Sequence, residues 1–209
     1  MAVVITVAQQ KGGSGKTMIA ANLAAALAGR KPTALLDIDP QHSLTRWHQL
    51  RAARDPAPAT VTLSEVSGWR LSGELDRLRR EHEFVLVDTP PVIDTDARRA
   101  IRAADLVVVP IQPSAPDLWA AEGTLKLAAD EKRPACIVLN RVPATGRQRE
   151  AMEQELRRRG LVVLPASLGN RTAFSQAFAQ GLGVTEAAPR TQAASELRSL
   201  LEAMLRVVG

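Results

Sequence analysis

Apolar residues fall along this chain in two rhythms. Short runs at residues 3–7, 33–38, 84–88, 105–111 and 135–139 are apolar almost throughout, rich in Val, Ile and Leu. A strand that does not alternate is covered on both faces. Two weaker runs, at 61–66 and 161–164, read as further strands. Between the runs, apolar residues recur at helical spacing. Ile19, Leu23 and Leu27 stand four apart, which predicts an amphipathic helix over 18–28 closed by Gly29. Helices are likewise expected over 43–53 with Ser43 as cap, 71–80, 96–104, 118–131, 148–159 up to Gly160, 172–180 and 193–208. Residues 55–58 read as a loop, and Gly181-Leu182-Gly183 as a break. Strands alternating with helices predict an α/β fold: a doubly wound, mainly parallel sheet with helices on both faces. With no internal repeat and no long linker, residues 1–209 are expected to form a single domain.

Composition narrows the setting. One cysteine, Cys136, allows neither an internal disulfide nor a Cys-Cys metal site. No apolar stretch is long enough for a spanning helix, and no secretory signal is read at the N-terminus. The expected location is the cytoplasm. The net charge of +5 is uneven: residues 141–209 carry ten arginines against six glutamates. A basic C-terminal third suits a polyanion, and equally suits solvated helix faces.

Chemistry is concentrated after the first strand, in Lys11-Gly12-Gly13-Ser14-Gly15-Lys16-Thr17. Strand, glycine-rich turn and helix in that order make a phosphate-binding loop. Glycines let backbone N–H groups turn toward an anion, and the following helix points its positive end at it. Lys16 would reach the β- and γ-phosphates, and the Thr17 hydroxyl would ligate Mg²⁺. The strict pattern asks for a glycine where Gln10 stands, and a second lysine, Lys11, opens the loop. Farther on, Val85-Leu86-Val87-Asp88 is an apolar strand ending in a carboxylate suited to Mg²⁺, and Asp37 and Asp39 lie on one side of another strand end. In such sheets ligands bind beyond the carboxyl ends of the strands.

Two lysines in this loop resemble the deviant Walker A motif of the ParA/MinD family of ATPases. That resemblance spans essentially the whole chain. It implies that Lys11 reaches the nucleotide of a facing subunit, and that residues 11–18, including Met18, cradle ATP. Asp37-Ile38-Asp39-Pro40-Gln41 is similar to the family's second acidic motif. By this likeness Asp39 positions the attacking water and Asp37 lies near the metal, with Thr17 and Asp88. Asp88-Thr89-Pro90-Pro91 resembles the switch that senses the γ-phosphate, and Asn140-Arg141 the adenine-reading strand end. The segment Pro110–Trp119 is similar to the proline-rich segment of small ParA proteins of the ParF type, which begin directly at the phosphate loop without a helix-turn-helix. Met18 departs from relatives that carry a second threonine, and Gln9 from those with Asn.

The resemblance implies an ATP- and Mg²⁺-dependent homodimer that binds double-stranded DNA without sequence preference. The implied protein is nucleoid-associated, and a ParB-like cargo adaptor would stimulate its hydrolysis. Arg171 and Arg190 resemble positions of DNA-contacting arginines, and Arg147 and Arg149 could extend the strip. A membrane-binding, MinD-like regulator is the alternative, read from Leu197, Leu200, Leu201, Met204, Leu205 and Val208 on one helix face. That face has mixed charges opposite it and no aromatic anchor, so a core-packed helix is expected instead. A synthetase on the same fold is a third reading. Paired-cysteine relatives and tyrosine-cluster kinases are excluded by one cysteine and no tyrosine. His42, His48 and His82 lack ligand spacing and read as surface residues, the three tryptophans as packing, and the phenylalanines as no base-stacking platform.

Overall fold

The computed structural model describes residues 2–144 and 147–209. Six strands form one parallel sheet: β1 (Val3–Val7), β2 (Thr33–Asp37), β3 (Thr62–Glu65), β4 (Phe84–Asp88), β5 (Leu106–Ile111) and β6 (Ala135–Leu139). Their order is β3-β2-β4-β1-β5-β6. The chain therefore winds outward one way from β1 and later the other way, and ligand crevices open where that order reverses. Register matters more than order here. Val7 pairs with Asp88, and Asp88 with Asp37, so three strand ends stop at one level.

Helices cover both faces, as the unbroken apolar strands require. One face carries α1 (Lys16–Ala28), α7 (Thr172–Phe178), α8 (Val184–Ala187) and α9 (Gln192–Val208), joined by Trp47 of α2 (Ser43–Ala52). The other carries α3 (Leu71–Glu81), α4 (Thr95–Ala103), α5 (Ala115–Asp130) and α6 (Arg147–Arg158). Strand side chains divide by parity. Ile5, Leu35, Leu86 and Val108 point to the first face, and Val4, Leu36, Val85 and Val109 to the second.

Several expectations change. Helix α1 is not amphipathic: residues 19–25 are all buried, because α2, α7, α8 and α9 surround it. Its many alanines suit a helix hemmed in on all sides. Ser43 does not cap α2. His42 takes a left-handed conformation before it, and the Asp37 carboxylate accepts the Thr45 N–H instead. Helix α5 begins three residues early, at Ala115, because Ser114 caps it and Pro116 is tolerated in a first turn. The run at 161–164 makes only an isolated bridge, Val163 to Ile137. The next rung is lost because the Leu168 N–H, rather than that of Ala166, takes the Leu139 carbonyl. Trp47 is fully buried, whereas Trp69 and Trp119 are exposed. His48 and His82 are half-buried and bonded, to the Val61 carbonyl and the Thr62 hydroxyl respectively. The apolar stripe of α9 is buried at Leu197, Leu200, Leu201 and Met204, as the core-packed reading expects. No described helix is long and apolar enough to cross a membrane.

One buried charge ties the first face together. Arg51, at the end of α2, is 3% exposed. Its guanidinium donates to both Glu186 carboxylate oxygens, at 2.8 and 2.7 Å, and to the carbonyls of Ala59 and Gly181. It also lies 5.3 Å over the Trp47 ring. Gly181, at φ +69, comes so close that a Cβ would meet the Arg51 backbone N at 2.3 Å. The glycine break read from sequence is thus a backbone-on-backbone contact. Replacing Arg51 by Met keeps the stem but strands the Glu186 charge. The expected cost is about 3 kcal/mol in chemical denaturation, since breaking a buried pair from one side leaves an uncompensated ion.

Candidate functional site

The phosphate loop leaves β1 at the centre of the sheet and enters α1 through Gly15. Gly13 and Gly15 hold φ values of +77 and +97, conformations that L side chains rarely adopt. Gly15 is doubly constrained: a Cβ there would meet the Asn140 side-chain nitrogen at 2.3 Å. That nitrogen donates to the Ser14 carbonyl at 2.7 Å. Asn140 therefore ties the end of β6 to the loop, a role absent from the sequence reading. The Gln10 amide lies where a Cβ on Gly123 would stand, so α5 packs tightly beside the loop's start.

Two cavities meet over this loop. The smaller, about 270 Å³, is lined by the loop glycines with Lys16, Thr17, Asp39 and Pro91. The larger, about 430 Å³, lies beyond Met18 between Asn140, Arg141 and the aromatic rings of Phe174 and Phe178. Met18, Arg141 and Phe178 line both. A polar, glycine-walled chamber opening into a half-apolar one matches the phosphates and base of a nucleotide. The two phenylalanines were missed by sequence reasoning. Their spacing of four on one helix was the available signal.

The electrostatics point the same way. Lys16 is 6% exposed. Burial pulls its ammonium below the ordinary lysine value, against the pull of the Asp88 and Asp39 charges. Asp88 is fully buried, and neither carboxylate oxygen has a hydrogen-bond partner. Burial pushes its carboxyl up to about 8, and the nearby Thr17 hydroxyl offsets only part of that. Five described residues carry buried polar side-chain atoms without a partner, and three of them, Ser14, Asp88 and Asn140, are here. Orphaned polar atoms are rare in folded proteins, and a cluster of them suits a site that binds water, an ion or a ligand.

These donors fit Mg²⁺. The Thr17 hydroxyl and Asp88 carboxylate are hard oxygens, and Mg²⁺ takes one or two protein oxygens, with waters and phosphates completing its shell. No described cluster of three or more acidic, His or Cys side chains could hold a metal alone. Asp37, expected near the metal, is otherwise engaged. It accepts from the Asp39 N–H at 3.1 Å and from the Thr45 N–H and hydroxyl at 3.0 and 2.8 Å. It bears on Asp88 by charge alone. Asp39 lines the phosphate cavity itself.

Lys11 lies outside that cavity. Its ammonium meets the Asp117 carboxylate, which also accepts from the Ser114 hydroxyl and the Gln112 N–H. Burial would raise the Asp117 carboxyl, but those three donors hold it below the usual range. The arginine strip also changes. Arg171 is clamped to Glu196 through both carboxylate oxygens, and Glu196 further accepts the Gly169 N–H. Arg149 pairs with Glu153, and Arg157, Arg158 and Arg159 pair with glutamates along or beside α6. Arg147 and Arg190 are exposed.

Residues 5–184 match the CobQ/CobB/MinD/ParA nucleotide binding domain family. The chain is 30% identical over 212 residues to Maintenance of carboxysome distribution protein A of Halothiobacillus neapolitanus, covering 96% of this chain and 95% of that protein. It is 31% identical to Protein ParA of Rhizobium radiobacter, covering 85% and 83%. In fold it is similar to McdA of Cyanthece without nucleotide, at TM-score 0.79, 18% identity and full coverage of both chains. The MinC:MinD complex of Aquifex aeolicus gives TM-score 0.81 at 19% identity, covering 98% and 96%.

The raised Asp88 carboxyl sets a pH dependence. Between about pH 4, where an ordinary carboxyl ionises, and about 8, the folded protein keeps a proton that the unfolded chain has lost. Stability of the nucleotide-free protein should therefore fall as pH rises through that window. Asp88→Asn cannot ionise, so its melting temperature should exceed the parent's at pH 8 and match it near pH 4. Calorimetry at both pH values checks this, and an equal gap at the two would exclude it.

Proposed function

The chain belongs to the CobQ/CobB/MinD/ParA nucleotide-binding family and is an ATPase of the ParA/MinD kind, and from that premise we propose that it partitions or positions a cargo. In this reading ATP joins two subunits face to face, the dimer holds double-stranded DNA without sequence preference, and a ParB-like adaptor on the cargo triggers hydrolysis. The carrying observation is Lys11. This chain's own phosphate cavity is served by Lys16, and Lys11 stands outside it with its side chain 39% exposed. A half-exposed cation at the rim of one site, held by Asp117 rather than by its own cavity, suits the phosphates of a facing copy.

Each site residue has a part in hydrolysis. The loop N–H groups and Lys16 balance the phosphate charge, which grows on the bridging and terminal oxygens. Thr17 and Asp88 would hold Mg²⁺, which would supply a further positive charge against that of the phosphates. Asp39, at the cavity wall, orients the water. Asn140 and Arg141 stand at the base end, and Asn140 keeps an amide oxygen free to accept. Likeness to a carboxysome distribution protein along nearly the whole chain supports a positioning role, with a protein assembly as one class of cargo. The membrane alternative loses its main feature, since the apolar stripe of α9 is buried.

Lys11→Ala should bind ATP as the parent does yet stay monomeric with a non-hydrolysable analogue, as light scattering would report. Asp39→Ala should do the reverse, dimerising with ATP while phosphate release stops. For DNA, the clamped Arg171 is a weaker candidate than Arg190. Arg147→Glu with Arg190→Glu should lower affinity at least tenfold for any duplex and flatten its salt dependence. Arg171→Glu, besides removing one cation, should lower thermal stability by leaving Glu196 facing a second carboxylate. Anisotropy titrations with two unrelated duplexes over a salt series separate these outcomes.

A further inference from the structure

A cavity larger than either chamber over the phosphate loop lies away from the nucleotide site. It is a groove of about 710 Å³ between residues 162–166 and the outer face of α9. Its floor and walls are mostly apolar, and Val162 and Val207 are 59% and 45% exposed on it. Across from the strand-like segment, α9 contributes Ser195, Arg198, Ser199, Glu202 and Arg206. These recur at helical spacing on the side opposite the buried stripe of Leu197, Leu200, Leu201 and Met204.

Residues 162–166 are the open edge of the sheet. The Ile137 N–H donates to the Val162 carbonyl, and the Leu164 N–H donates to the Ile137 carbonyl. In a parallel ladder this leaves the N–H and C=O of Val163 pointing the other way. Neither has a backbone partner among the described residues. An edge with a free donor and acceptor, beside an apolar trough, is the geometry used for strand addition. Pro165 ends the edge after one such pair, so the added strand is short.

We propose that this groove takes an extended segment of a partner protein, alternating apolar residues with acidic ones. Backbone pairing at Val163 would hold it. Its carboxylates, on the α9 side at every second position, would meet Arg198 and Arg206, and the apolar residues between them would lie on the other face beside Leu161 and Val163. Charge selects the occupant. The groove's one carboxylate, Glu202, leans to Arg30 at 3.9 Å, outside the groove lining. Arg198 spends one N–H on the Pro189 carbonyl and keeps its charge. A second copy of this chain paired across the edge would bring Arg198 and Arg206 of both copies into one seam, which like charges oppose. Val163 bridges the middle of β6, away from the strand ends that carry the phosphate loop, so binding should not depend on ATP.

Fluorescein-labelled nine-residue peptides test this: Val alternating with Glu, with Ser or with Lys, and a fourth with the Val and Glu of the first sorted into blocks. Anisotropy titrations use the full chain with and without ATP. The alternating Glu peptide should bind at least tenfold tighter than the Lys and block peptides. Arg198→Glu with Arg206→Glu should reverse the order of Glu and Lys. Ser199→Trp, an exposed position, should fill the groove and abolish binding, with melting temperature and nucleotide affinity unchanged. Absence of binding by all four peptides, or undiminished binding to Ser199→Trp, overturns the proposal. So does a charge reversal that abolishes duplex-DNA binding while the peptides stay indistinguishable; the face would then be a nucleic-acid surface.

Discussion

At the centre of the sheet lies a carboxylate that the folded chain does not satisfy. Asp88 ends β4 between the ends of β1 and β2, in register with Val7 and Asp37, and its carboxyl oxygens have no hydrogen-bond partner. Burying it costs stability that a paired group would not, and that cost makes sense only if something cationic arrives. Lys16, close by and itself held below its usual affinity for protons by burial, is a partial answer. The Mg²⁺ proposed for the site would supply the rest. Thr17, Lys16 and Asp39 lie close to it, so the chemistry of the site is arranged about one unsatisfied carboxyl.

Other charges are paired so that they fix geometry. Arg51 joins the end of α2 to the turn before α8. Arg171 joins the loop under the cavity beyond Met18 to α9. Asp37 caps α2 from the neighbouring strand end. The two arginines tie neighbouring segments to the helices of the C-terminal third, and Asp37 ties β2 to α2. Arg171 also shows why a count of arginines overstates a basic surface: its charge is cancelled by Glu196 at hydrogen-bond distance.

Lys11 and Asp117 stand apart from these. Their ion pair is half in solvent on the lysine side and buried on the acid side, 39% and 2% exposed. Releasing Lys11 would leave Asp117 with the Ser114 hydroxyl and the Gln112 N–H, enough to keep it satisfied. The Asp117 carboxylate would then keep hydrogen bonds but no countercharge, so any second partner of Lys11 would have to offset that loss.

The alternation of apolar runs with helical spacing determined the α/β class and the parallel sheet, since continuous strands need cover on both faces. Spacing alone likewise placed the loop, its lysines and Thr17, because phosphate binding there is a property of consecutive residues. Asp88 was legible because a strand ending in a carboxylate is also a local pattern. What tertiary structure decided is everything that depends on a partner distant in sequence. Asp37 and Asp39 look equivalent in the chain, yet one is spent on Thr45 and the other faces the cavity. Phe174 and Phe178 become the wall of the larger cavity only when α7 packs beside Met18. Residues 161–164 carry a strand's composition, but the rung taken by Leu168 and the position of α9 leave them as an open edge beside a groove. Burial and pairing belong to contacts across the fold, and no local pattern in the sequence records them.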